Sequence, residues 1–225
     1  MNLKETILQK IEKSNEVVGV IGLGYVGLPL AVSFASEGVQ VFGFEKSAAK
    51  AAKVNAADNY ISDVKDEDLK AVVTNGKLTA TTDFSKLGTC DAILICVPTP
   101  LDIFKKPDMS YIEESCSTIA QHLKKGTFVC LESTTYPTTT ESVILPILEE
   151  QSGLKHGDDF WLAFSPERVD PGNKQFVTRN TPKVLGALSD DGLEIGQAVY
   201  KKAIDLIHPV SSPRVAEMVK ILENT

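Results

Sequence analysis

The chain has 225 residues, 43% of them apolar, and 30 acidic against 23 basic side chains give a formal charge of −7. That is enough apolar content for a sizeable core in one large or two small domains. A mixed, net acidic charge pattern speaks against a nucleic-acid or polyanion binder, and no apolar run approaches the ~20 residues of a membrane-spanning helix.

The first residues, MNLKETILQKIEKSN, are charged throughout and have no signal-peptide core. Leu3, Ile7 and Ile11 fall at helical spacing and predict an amphipathic lead-in helix within residues 1–15. Apolar runs without polar alternation follow at 17–21, 39–44, 92–97, 128–131, 161–164 and 184–188, the signature of strands buried on both faces. Helical patterns lie between or after them at 28–36, 66–73, 111–123, 140–150 and 193–203. Strand–helix alternation predicts right-handed crossovers and an α/β fold, a doubly wound parallel sheet of Rossmann type with six or more strands.

A final helix starts near Pro213 with Ser212 as its cap. Residues 1–212 therefore read as one dinucleotide-binding domain and 213–225 as the start of a connecting helix. Its Val215, Met218, Val219 and Leu222 call for a partner, and no glycine or proline closes the helix before Thr225. The expectation is a cut inside a longer protein. The four cysteines (Cys90, Cys96, Cys116, Cys130) show no CxxC spacing, and Cys96 and Cys130 fall in strand patterns where buried thiols are common. The three histidines (His122, His156, His208) make no metal-ligand spacing. The expectation is a reduced, cytoplasmic protein with neither disulfides nor a metal site.

Gly22, Gly24 and Gly27 sit between the first strand and the first helix of the alternation. Gly22 suits a tight turn, Gly24 bares the backbone to a pyrophosphate, and Gly27 lets helix and sheet pack closely. The helix N-terminus would then face the phosphates. Glu45, at the end of the second strand and 18 residues after Gly27, stands where an acid bonds the ribose hydroxyls and repels a 2′-phosphate. NAD is thus expected over NADP. Lys50, and less so Lys46, are placed to neutralise the adenosine-side phosphate.

Ligands of such sheets bind at the carboxyl ends of the strands. One strand leaves as ILICVPTP, a rigid, non-helical exit from which Thr99 can point a hydroxyl at the nicotinamide ribose. The next leaves as VCLESTTYP, with Glu132, Ser133, Thr134 and Thr135 in succession and Thr138 or Thr139 as cap of the following helix. A third leaves as FSPERVDPGN, with Glu167, Arg168 and Asp170 in its loop. On the last helix Lys220 and Asn224 are four apart and share one face. A lysine held against apolar neighbours loses hydration and suits proton transfer.

Together VIGLGYVGLPLA, ICVPTP, LESTTYP, FSPERVDPGN, TPKVLG and SSPRVAEMVKILENT resemble the nucleotide-sugar 6-dehydrogenases, the UDP-glucose/GDP-mannose dehydrogenase family, and the forms SPERVDPGN and SPRVAEMVKILENT look most like the UDP-N-acetylhexosamine branch, ahead of UDP-glucose. The resemblance implies oxidation of the sugar C6 alcohol to a carboxylate with two NAD+. It implies that Gly22, Gly24, Tyr25, Val26, Gly27, Glu45, Pro98, Thr99 and Thr134 contact NAD, with Lys50 near the adenosine. It places Lys220, Asn224, Glu167 and Thr134 in the active site, where Lys220 stabilises charge on the C6 oxygen, Asn224 orients that oxygen, Thr134 holds water or cofactor, and Glu167 serves as acid–base or substrate contact. The family's second glutamate, four residues after the first, falls here on Pro171, so its role is vacant or passes to Asp170 or Arg168. The family's nucleophilic cysteine, which forms the thioester, lies in a glycine-rich context that none of the four cysteines has. The implied partners are a UDP-sugar and further copies of the chain, joined through a missing central domain. Two other readings compete: a β-hydroxyacid-type dehydrogenase using Lys220 and Asn224, and a non-catalytic NAD-binding module.

Overall fold

The computed structural model describes residues 2–101, 103, 107–168 and 178–223. The lead-in helix α1 (Leu3–Glu12) opens with a capping box: the Asn2 side chain accepts the Glu5 amide at 2.8 Å, and the Glu5 carboxylate accepts the Asn2 amide at 3.2 Å. Then follow β1 (Val17–Ile21), α2 (Gly27–Ser36), β2 (Gln40–Phe44), α3 (Ala48–Asn55), α4 (Asp66–Thr74), β3 (Leu78–Thr81), a 3₁₀ turn (Phe84–Thr89) and β4 (Ala92–Ile95). The second half runs α5 (Ser110–His122), β5 (Thr127–Leu131), a π-helical turn (Thr140–Ile144) leading into α6 (Leu145–Ser152), β6 (Phe160–Phe164), β7 (Lys183–Ala187), α7 (Asp190–Tyr200), β8 (Ile207–Val210) and α8 (Pro213–Glu223).

The strands form one sheet in the order β3-β2-β1-β4-β5-β6-β7-β8. Six of them are parallel, with the order reversing direction between β1 and β4 as a doubly wound sheet requires. The doubly wound parallel sheet is the one expected, with one antiparallel pair added at its end: β7 pairs antiparallel to β6, and β8 is parallel to β7. The sequence between β6 and β7 carries no apolar period of the kind a parallel crossover usually uses, and an antiparallel return needs no crossover. The rim that carries the carboxyl ends of β1, β4, β5 and β6 therefore also carries the start of β7.

Strand residues alternate between two cores. Val18, Val20, Phe128, Cys130, Trp161 and Ala163 join α1, α2, α3, α4 and α7 on one face, with Ile7, Ile11, Leu30, Phe34, Leu69 and Ile195 buried there. Ile21, Val129, Leu131, Leu162 and Phe164 join α5, α6 and α8 on the other, with Ile112, Ile119, Leu148 and Ala216. Each fully buried Leu or Phe contributes about 1.5–3 kcal/mol, so the parallel strands that carry the rim are fixed from both sides. Among the described residues no helix is long and apolar enough to cross a membrane, and no cluster of side chains suits a metal ion.

Candidate functional site

The glycine turn has the geometry its sequence demands. Gly22 has φ +90°, and a Cβ there would lie 2.7 Å from the Cys96 carbonyl oxygen. A Cβ on Gly27 would meet the Gly22 carbonyl oxygen at 1.9 Å, so α2 starts against the turn itself. Gly24 differs: nothing lies within 4 Å of where its Cβ would be. No internal packing asks for glycine at that position, whereas close approach of a bulky anion would. Tyr25 is exposed beside it, and Val26 immediately precedes the first helical residue.

Glu45 follows β2 and is half-buried. Its Oε2 accepts the Leu23 amide at 3.3 Å and its Oε1 the Ser47 amide at 3.1 Å, which anchors the carboxylate beside the turn. Tyr60, which no motif flagged, braces the same place: its hydroxyl donates to the Leu23 carbonyl at 2.7 Å. Burial, with a smaller push from Glu45, raises the Tyr60 phenol to about 12. Lys50 is exposed near the start of α3, while Lys46 pairs with Glu114 at 2.5 Å.

The β4 and β5 exits meet. Thr99 donates its hydroxyl to the Thr134 carbonyl at 2.7 Å, next to the exposed Pro98. The three hydroxyls of the β5 exit are not equivalent. Ser133 is buried and donates to the Val97 carbonyl at 2.6 Å, and Thr135 is buried against the Thr139 hydroxyl at 2.7 Å. Thr134 alone of the three is exposed at the rim. Glu132 turns inward instead, fully buried, with its Oε2 2.6 Å from the Lys183 ammonium and its Oε1 accepting the Tyr200 hydroxyl.

The expected cap of the next helix is corrected. Neither Thr138 nor Thr139 caps it with its side chain. The buried Glu217 of α8 does so across space, accepting the Thr138 amide at 2.6 Å, the Thr140 amide at 3.0 Å and the Thr140 hydroxyl at 2.7 Å. A carboxylate offers two oxygens to these orphan donors, more than a threonine hydroxyl can. Ser212 does cap α8, accepting the Val215 amide at 3.3 Å. With α8 held this way, the Lys220 ammonium donates to the Glu167 carbonyl at 2.7 Å, and the Glu167 side chain accepts the Arg168 amide at 2.7 Å. Both Glu167 and Lys220 are half-buried. Asn224 and Asp170 lie outside the described residues.

The structure thus brings Gly22, Gly24, Gly27 and Glu45 together at one end of the rim, Thr99 with Thr134 in its middle, and Glu167 with Lys220 at β6 and α8. An open backbone turn at a helix start, an anchored carboxylate after β2 and a hydroxyl pair beyond it fit an extended dinucleotide.

Residues 16–204 match the family described as UDP-glucose/GDP-mannose dehydrogenase family, NAD binding domain. The chain is 36% identical over 209 residues to the UDP-N-acetyl-D-glucosamine 6-dehydrogenase of Pseudomonas aeruginosa, covering 92% of this chain and 49% of that protein. The solved UDP-D-ManNAc dehydrogenase of Pyrococcus horikoshii superposes with a TM-score of 0.86 at 34% identity, over 92% of this chain and 50% of that one. A ternary complex of GDP-mannose dehydrogenase from Pseudomonas aeruginosa superposes with a TM-score of 0.85 at 29% identity, over 92% and 49% of the two chains. The chain spans about half the length of the relatives it matches.

Proposed function

This chain belongs to the UDP-glucose/GDP-mannose dehydrogenase family as its NAD-binding domain, and from that premise we propose that the whole protein is a UDP-sugar 6-dehydrogenase. It oxidises the C6 alcohol of a UDP-N-acetylhexosamine to a carboxylate, consuming two NAD+ and one water and releasing two NADH. The observation that carries this reading is the Lys220 hydrogen bond to the Glu167 carbonyl, an ammonium held at the rim on the far side of the Thr99–Thr134 pair from the glycine turn.

NAD, when bound, supplies the hydride acceptor. The bare backbone at Gly24 and the first turn of α2, with Tyr25 and Val26, hold the diphosphate, Glu45 takes the adenosine ribose diol, and Lys50 neutralises the adenosine side. Pro98, Thr99 and Thr134 line the nicotinamide end. Lys220 stabilises negative charge on the C6 oxygen as its proton leaves, Asn224 orients that oxygen, and Glu167 contacts the sugar or exchanges its proton. The first oxidation yields an aldehyde, a poor hydride donor until a nucleophile adds to its carbonyl carbon. The four cysteines of this chain are unsuited to that step. All are buried, and burial pushes Cys90 and Cys116 up to about 12 and Cys96 and Cys130 well above the ordinary thiol value. The reading therefore takes the thiol from sequence outside residues 1–225, and expects this chain alone to bind NAD without completing the oxidation. The apolar side chains left exposed on α8 (Val215, Met218, Ile221, Leu222) support a homo-oligomer built through that remaining half.

The test is to purify the full-length gene product and follow NADH absorbance with UDP-N-acetylglucosamine and UDP-N-acetylmannosamine. Two NADH per sugar are expected. Turnover of a small β-hydroxyacid instead, or NAD binding without turnover of any nucleotide sugar, would overturn the reading.

A further inference from the structure

The reversed strand β7 brings a buried cation to the rim. In the β6–β7 pairing Ala163 faces Ala187 and Phe164 faces Gly186, so β7, which opens with Lys183, starts on the side of the sheet where the Glu167 loop leaves β6. The two residues line one small cleft with Arg168, Thr178 and Thr181. The Lys183 side chain is 5% exposed and reaches across β6 to β5, where its ammonium meets Glu132 at 2.6 Å. Tyr200 of α7 completes the set: its hydroxyl donates to the other Glu132 oxygen, and its ring centre lies 5.4 Å from the ammonium. Burial opposes the Lys183 cation, but the Glu132 and Glu167 carboxylates outweigh it and hold the pKa above the ordinary lysine value.

A buried ion pair is a poor stabilising device, because desolvation consumes most of its Coulomb attraction and an apolar pair of the same shape often serves as well. What such a pair does provide is a fixed charge at a fixed place. Here that place shares a cleft with Glu167, whose backbone carbonyl accepts a hydrogen bond from Lys220. We propose that Lys183, clamped by Glu132 and Tyr200, is a positioning residue that holds the Glu167 carboxylate in register with Lys220 at the reacting end of the sugar. Lys183 touches neither cofactor nor substrate. It acts through Glu167, and the inference rests on the dehydrogenase reading above.

The experiment uses the full-length enzyme with UDP-N-acetylglucosamine or UDP-N-acetylmannosamine, whichever it turns over. Lys183→Met lowers kcat by about 10–100-fold, while NAD affinity, read by calorimetry, stays within about twofold. Lys183→Arg, which keeps the charge, restores most of kcat. The double variant E132Q/K183M leaves no unpaired buried charge, so it folds even where Lys183→Met does not, and it retains the low kcat. Tyr200→Phe, which loses one hydrogen bond and no volume, gives a smaller fall in kcat at unchanged NAD affinity. An active wild type whose folded double variant recovers full kcat would refute the positioning role alone and leave a purely structural pair. So would a Lys183→Met enzyme with wild-type kcat. A wild type inactive on every nucleotide sugar would refute the dehydrogenase reading and this inference with it.

Discussion

The Glu217 carboxylate accepts the Thr138 amide at 2.6 Å and so ties α8 to the exit of β5, 79 positions away in the chain. Two further bonds, from the amide and hydroxyl of Thr140, fill its other oxygen. Glu217→Gln keeps the shape but replaces one acceptor oxygen with an amino group, so one buried donor loses its partner. The expected loss is about 1–3 kcal/mol, a fall in melting temperature of roughly 2–10 °C for a chain of this size. A differential scanning melt that shows no change would mean the helix start is satisfied elsewhere.

Thr138, which that bond holds, has φ +79°. A β-branched residue in the left-handed region costs on the order of 1–3 kcal/mol, and glycine returns about 0.5–1 kcal/mol of that through its freer unfolded chain. Thr138→Gly is therefore expected to stabilise the protein and raise the melting temperature by roughly 2–4 °C. An unchanged or lower melting temperature would show that the Thr138 side chain contributes more than its backbone strain costs.

Glu45 should decide which dinucleotide this domain prefers. NAD at saturating concentration is expected to raise the melting temperature of this chain more than NADP at the same concentration, by mass action on the folded state. A 2′-phosphate beside the carboxylate that anchors Leu23 and Ser47 would be repelled. Glu45→Gln should narrow the difference. Equal shifts from the two dinucleotides in the unaltered chain would contradict the role given to Glu45.

Glu16 carries a pH dependence. It is 1% exposed, no other described residue donates a hydrogen bond to its carboxylate, and burial, only partly offset by its own backbone amide, raises its pKa from 4.5. An acid with a raised folded pKa holds its proton more tightly in the folded state, so the contribution of Glu16 is fully present below pH 4.5 and is lost as pH rises through its folded value. Glu16→Gln removes that loss. Its melting temperature should exceed that of the parent at pH 7 and match it at pH 4. A gain of the same size at both pH values would place the effect in packing rather than in charge.

Local patterns made much of this legible. The glycine turn, the strands at β1, β4, β5 and β6, and Glu45 are written in consecutive residues whose period and spacing carry the information. β3 escaped because four residues of alternating burial at a sheet edge resemble a loop, and β8 because its IHPV places a proline in a strand, tolerated there only because the strand is an edge. The reversal of β7 is not written in the strand itself, since a parallel and an antiparallel buried strand share the same composition; its one trace is the missing helical period before the strand. Glu217, Lys183 and Tyr60 escaped for a different reason. Each is an ordinary charged or aromatic residue in its own segment, and it gains meaning only from a partner that folding brings from another part of the chain.

The accuracy of the rim hangs on Gly186 in β7. The Ser212 carbonyl oxygen lies 2.2 Å from where its Cβ would stand, so the root of α8 is seated directly on the sheet. Lys220 rides on that helix roughly 12 Å further along. A single methyl group at position 186 would act as a wedge beneath a stiff lever, tilting the ammonium off the Glu167 carbonyl while leaving every residue around it unaltered.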